Sequence, residues 1–94
     1  MPKGYLVVCY RETPKDENLA TYAAGAKTAI EAAGGRFIAR GAPVKTFEAG
    51  LQERTVVIEF ESTDAAIRSY ESEAYQKLLP GLGVLRDMRV VEGV

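Results

Sequence analysis

Apolar and polar positions follow two different rhythms along this chain. The run Tyr5-Leu6-Val7-Val8-Cys9-Tyr10 is rich in β-branched and aromatic residues and lies between Gly4 and the polar pair Arg11-Glu12, which predicts a central strand. The period then lengthens. Leu19, Tyr22, Ala23, Ala26, Ile30 and Ala33 recur at the three, four, seven spacing that puts them on one face of a helix. Thr13 is the expected N-cap of that helix, with Pro14 at its first position and Asp16 as a capping carboxylate, and Gly34-Gly35 ends it.

Alternation returns at Arg36-Phe37-Ile38-Ala39-Arg40, which predicts a second strand stopping at Gly41-Ala42-Pro43. Val44 to Phe47 reads as an irregular extension before Gly50. A third strand is expected over Arg54 to Phe60, with Val56, Ile58 and Phe60 on one side and Thr55, Val57 and Glu59 on the other. Ser62 or Thr63 caps a short helix carrying Ala66, Ile67 and Tyr70. Ser72 re-caps a second one carrying Tyr75, Leu78 and Leu79, closed by Pro80 and Gly81. Asp87 to Glu92 forms the last strand. The order β-α-β-β-α-β, with its second helix broken, is the split βαβ pattern of an α+β ferredoxin-like fold: one domain over residues 1–94, with a four-stranded antiparallel or mixed sheet.

Both helices of such a fold cover the same face of the sheet, so the opposite face stays open unless a partner covers it. With Leu6, Val8, Phe37, Val56, Ile58 and Phe60 turned to the helices, the open face is expected to carry Tyr5, Val7, Cys9, Ile38 and Val57, together with Arg36, Arg40, Thr55 and Glu59. That much apolar area predicts a homodimer pressed sheet to sheet. In a plain hairpin of the second and third strands, Arg36 falls near Glu59 and Arg40 near Thr55. Two readings of these charges are open. One is a cross-strand salt bridge that sets register; the other is that at least one arginine, Arg40 before Arg36, keeps donors free for a carboxylate or phosphate in a cavity between the sheets.

Composition narrows the chemistry. Lys plus Arg is 12 and Asp plus Glu is 13, for a net charge of −1 with the signs interspersed, which argues against nucleic acid or a membrane as partner. The single cysteine, Cys9, forms no intrachain disulfide and reads as a small buried hydrophobe. Histidine is absent, so His-based metal sites and Ser-His or Cys-His nucleophile pairs are excluded, and no cofactor is called for. Six or seven apolar residues after Met1-Pro2-Lys3-Gly4 are too few for a signal peptide or a membrane span, which predicts a cytoplasmic protein. Gly34-Gly35 and Gly81-Leu82-Gly83 lack the strand-to-helix setting of a phosphate loop and read as turns. Tyr22, Tyr70 and Tyr75 sit at core spacing on helices, as packing residues whose hydroxyls find partners at an edge.

Several ordered motifs resemble one family. Gly34-Gly35-Arg36-Phe37-Ile38-Ala39-Arg40-Gly41, Arg54-Thr55-Val56-Val57-Ile58-Glu59-Phe60-Glu61-Ser62, Tyr70-Glu71-Ser72-Glu73-Ala74-Tyr75, the ending Val91-Glu92-Gly93-Val94 and the opening Lys3-Gly4-Tyr5 look like the bacterial domain-of-unknown-function 1330 family. The resemblance implies the dimeric α+β barrel superfamily, in which two ferredoxin-like protomers press their sheets together around a cavity. That superfamily holds cofactor-free monooxygenases, lactone-processing isomerases, haem proteins and effector-binding domains, so the fold does not select a chemistry. Without histidine this chain lacks the usual proximal haem ligand.

Three functions are compatible with these residues. A cofactor-independent enzyme would orient a small anionic substrate with Arg40 and Arg36 and use Glu59 as general base. Arginine would oppose the rise in pKa that a base needs, so this role requires the arginines to point at the ligand and not at Glu59. A binding module would use the same arginines without a base. An association domain would use the open face for dimerisation alone. The loop from Gly41 to Gly50, with Pro43, is the candidate lid.

Overall fold

A computed structural model describes residues 2–94. Strand β1 (Gly4–Tyr10) leads into helix α1 (Asp16–Ala32), then β2 (Arg36–Gly41) and β3 (Thr55–Phe60). Helices α2 (Thr63–Glu71) and α3 (Glu73–Gln76) follow, with a 3₁₀ turn over Leu79–Gly81 and strand β4 (Arg86–Glu92). The four strands form one sheet in the order β2-β3-β1-β4, every neighbouring pair antiparallel. This is the expected α+β ferredoxin-like architecture.

The core lies between the sheet and the helices. Leu6, Val8 and Tyr10 from β1 and Val56, Ile58 and Phe60 from β3 are buried there, against Tyr22, Ala26 and Ile30 of α1 and Ala66 and Tyr75 from the second helical region. Alternation in the strands and a 3.6-residue period in α1 bring these residues to one layer. The two caps expected from serine are present: the Ser62 hydroxyl accepts from the Ala65 N–H at 3.1 Å and the Ser72 hydroxyl from the Tyr75 N–H at 3.3 Å. At the end of α1, Gly35 N–H donates to Ile30 C=O and Gly34 N–H to Glu31 C=O, with Gly34 at φ 91°, a conformation glycine adopts without strain. Gly35 has a second reason to be glycine, since a Cβ there would meet Ile30 at 2.5 Å and the Phe60 ring at 2.9 Å.

The structure departs from the sequence reading in four places. Thr13 does not cap α1; its hydroxyl bonds the Glu53 carboxylate, and the helix starts after Lys15 without a side-chain cap. Ala33 and Ile67 are exposed, Ala33 because α1 has already ended and Ile67 because it turns to the solvent side of α2. Cys9 lies on the open face, as the alternation of β1 predicts, and is half-buried there. The largest departure is in β2. The register runs Arg36 opposite Glu59, Phe37 opposite Ile58, Ala39 opposite Val57 and Arg40 opposite Val56, so Ile38 is an extra residue in a β-bulge. Gly41, and not Arg40, faces Thr55. One inserted residue reverses the side of everything after it, and Arg40 therefore lies on the helix side of the sheet.

Candidate functional site

The open face holds the first group of expected site residues. Arg36 approaches Glu59 at 3.5 Å, and the Tyr5 hydroxyl donates to the other Glu59 oxygen at 3.0 Å. The hydrogen bond to Glu59 is the main cause holding the Tyr5 phenol above its ordinary pKa, with desolvation second. Glu59 is thus engaged by two neighbours, and Arg36 points at it and not into a cavity. Tyr5, Val7, Cys9, Val57 and the β4 residue Val91, which pairs with Tyr5, are the apolar part of this face, to which Arg89 opposite Val7 and Asp87 and Thr55 opposite Cys9 add charged and polar groups.

Arg40 belongs to a different place. Helix-side alternation along β4 puts Arg86 beside Tyr10, and the Tyr10 N–H donates to the Arg54 C=O, so Arg54, Tyr10 and Arg86 form one row across the helix side of the sheet. The bulge adds Arg40 one row further in, opposite Val56. All three arginines line a cavity of ≈ 30 Å³ between α1 and the sheet, whose walls include Ala26, Phe37 and Val56 and whose lining contains no carboxylate. That space holds about two water molecules. None of the three arginines pairs with an acidic residue among the described residues.

Arg86 is the best fixed of them. Its guanidinium donates to the Tyr22 hydroxyl at 3.0 Å and to the Tyr75 hydroxyl at 3.2 Å, and those hydroxyls bond each other. It also lies 5.4 Å from the Tyr10 ring centroid and 5.3 Å from that of Tyr22, within cation–π range. Burial opposes its charge, and the two tyrosines more than offset that, so Arg86 stays charged. Arg40 stacks on Phe37 at 4.9 Å. A cation-lined slot of this size with phenolic hydroxyls suits the head of a small anion, held there by charge-assisted bonds.

Burial pushes the Tyr22 phenol well above its ordinary value; Tyr75 and the hydrogen bond to it add to the rise, and Arg86 opposes it. The fold therefore favours the protonated phenol. Its stabilisation is present in full below the unfolded tyrosine value of 10.0 and is lost as the pH rises above that toward the raised folded value. The melting temperature is expected to fall above about pH 10, and to fall less steeply in Tyr22→Phe. Equal slopes for the two proteins would show that Tyr22 does not carry the effect.

Sequence reasoning missed Arg54, Arg86 and the joining of Tyr22 to Tyr75. The signal for Arg86 was there: it continues the two-residue period of Val90 and Met88, once β4 is begun one residue earlier than expected. Arg40 was found but assigned to the wrong face, since nothing local marks the bulge.

The Domain of unknown function (DUF1330) family matches residues 3–94. No curated protein matches the chain. A protein of unknown function from Rhodopseudomonas palustris shares the fold at TM-score 0.74 and 12% identity, over 99% of this chain and 83% of that one. A dimeric ferredoxin-like protein of unknown function from Thermobifida fusca matches at TM-score 0.53 and 15% identity, over 97% and 91%. A cofactor-independent oxygenase from Streptomyces nogalater matches at TM-score 0.53 and 13% identity, over 99% and 90%. At these identities the likeness is one of fold.

Proposed function

The chain belongs to the DUF1330 family, and for it we propose a homodimeric, cytoplasmic small-molecule protein that binds a small organic anion in each protomer, between α1 and the sheet. The observation that carries this reading is the set of three arginines without acidic partners around one apolar slot. Arg40 is exposed, but Arg54 and Arg86 are half-buried, and a half-buried charge left unpaired is costly, a cost an anionic ligand removes. Arg86 with Tyr22 and Tyr75 holds the anionic head, and Arg40 and Arg54 neutralise it from the rim.

Arg36 and Glu59 have a different role in this proposal. They sit on the far side of the sheet from the slot, so Glu59 is not a base for a ligand bound there. Their cross-strand pair fixes register on the face that meets the second protomer. The half-buried Tyr5, Val7, Cys9 and Val57 would each gain about 1 kcal/mol or less on full burial in that interface, a few kcal/mol per protomer together. The Thermobifida fusca protein, described as dimeric, agrees with it.

The test is a thermal-shift titration with formate, acetate and other small carboxylates, run beside Glu59→Gln. At a hundred times its Kd a ligand adds about 2.7 kcal/mol, raising Tm by roughly 10 °C or more for a domain of this size. Glu59→Gln is expected to show the same rise. A shift lost in Glu59→Gln, or no shift with any carboxylate, would move the site away from the helix-side slot. Light scattering should report a mass of two chains.

A further inference from the structure

The size of the cavity between α1 and the sheet narrows what it can take. Its ≈ 30 Å³ has room for about two water molecules. The two oxygens of a carboxylate fill that much, so every carbon beyond the carboxyl group must displace a wall. The walls give little. Val56 and Ile58 on the sheet and Ala26 and Ile30 on α1 are all buried core residues, and an interior packed in this way resists even one added methylene. Donors for the head are at hand. A guanidinium has five N–H groups; Arg86 uses one on Tyr22 and one on Tyr75, which leaves three without a protein partner among the described residues.

We propose that this pocket selects formate, a carboxylate with no carbon beyond the head, over longer acids, and that Ala26 sets the limit. The proposal rests on the anion-pocket reading above and specifies its ligand class. Of the α1 residues on the wall, Tyr22 and Ile30 are large and Ala23 and Ala26 leave the room; Ala26 is the buried one of the two alanines. Valine there would add two methyl groups, which take up about as much space as the two waters the cavity holds. Enclosure and surface binding predict opposite orders. An acid held by its head at the mouth, with its chain lying on apolar surface past the exposed Arg40, would bind more tightly with each carbon. A head enclosed between α1 and the sheet binds less tightly with each carbon, because the chain has nowhere to go.

The experiment titrates the protein with sodium formate, acetate and propionate at neutral pH, where all three are ionised, and at constant ionic strength, following backbone amide signals by NMR. Kd is expected to rise by about fivefold or more at each added carbon. Ala26→Val should stay folded by circular dichroism and lose formate binding, and Arg86→Met should weaken the binding of all three acids. For size selection the wild-type series is decisive without Ala26→Val. If Kd is unchanged or falls as the chain lengthens, and binding is weakened in Arg86→Met, the inference is overturned and the anion pocket stands. Undiminished formate binding in a folded Ala26→Val would overturn the role of Ala26. If none of the three acids binds, or binding is undiminished in Arg86→Met, both fall.

Discussion

Arg86→Met is expected to weaken carboxylate binding by thirtyfold or more while leaving the protein folded. Truncating one side of a desolvated, hydrogen-bonded charge pair costs about 2 to 5 kcal/mol, which is a factor of thirty to several thousand in Kd. Stability should respond differently. Replacing a partly buried, unpaired cation by an apolar side chain of similar length is often neutral or favourable. A thioether can also keep contact with the Tyr10 and Tyr22 rings, and the two hydroxyls still bond each other. The melting temperature should stay within a few degrees of wild type. Calorimetric titration with acetate checks the first statement and circular dichroism the second. Undiminished affinity in Arg86→Met would remove Arg86 from the site.

The second large effect is on the core. Phe60 is 1% exposed and packs where α1 turns back into the sheet, against the backbone of Gly35. Phe60→Ala leaves a cavity that this neighbourhood fills poorly, because Gly35 has no side chain to move into it. A loss of about 3 to 5 kcal/mol is expected. A chain of 94 residues has roughly 5 to 14 kcal/mol of stability in all, so Tm should drop by at least about 12 °C at fixed protein concentration. Urea unfolding measures it; a loss below about 1 kcal/mol would show that the surroundings collapse onto the void.

Phe60 and Arg86 differ in how far along the chain their defining partners lie. Phe60 was legible at once, since alternation in the third strand puts Val56, Ile58 and Phe60 together on the buried side. Arg86 was not, because its significance depends on Tyr22 and Tyr75, which are 64 and 11 residues away in sequence. The open face was read correctly for β1 and β3 and incorrectly for Arg40. Arg36 shows the same limit from the other side. Its pairing with Glu59 follows from the first turn of the hairpin register, before the bulge intervenes.

What the sequence by itself determined is the element order, the helix caps at Ser62 and Ser72, the end of α1 at Gly34-Gly35, and the layer of residues that closes the core. All of these come from periodicity, capping and glycine chemistry, which act over a few residues. What the tertiary structure decided is which side of the sheet carries the free arginines. A single extra residue at Ile38 reverses the side of Arg40, and the pairing of β4 with β1 sets Arg86 beside Tyr10. Neither has a local signature, because a bulge is defined by the partner strand and a cluster by helices packed from distant parts of the chain.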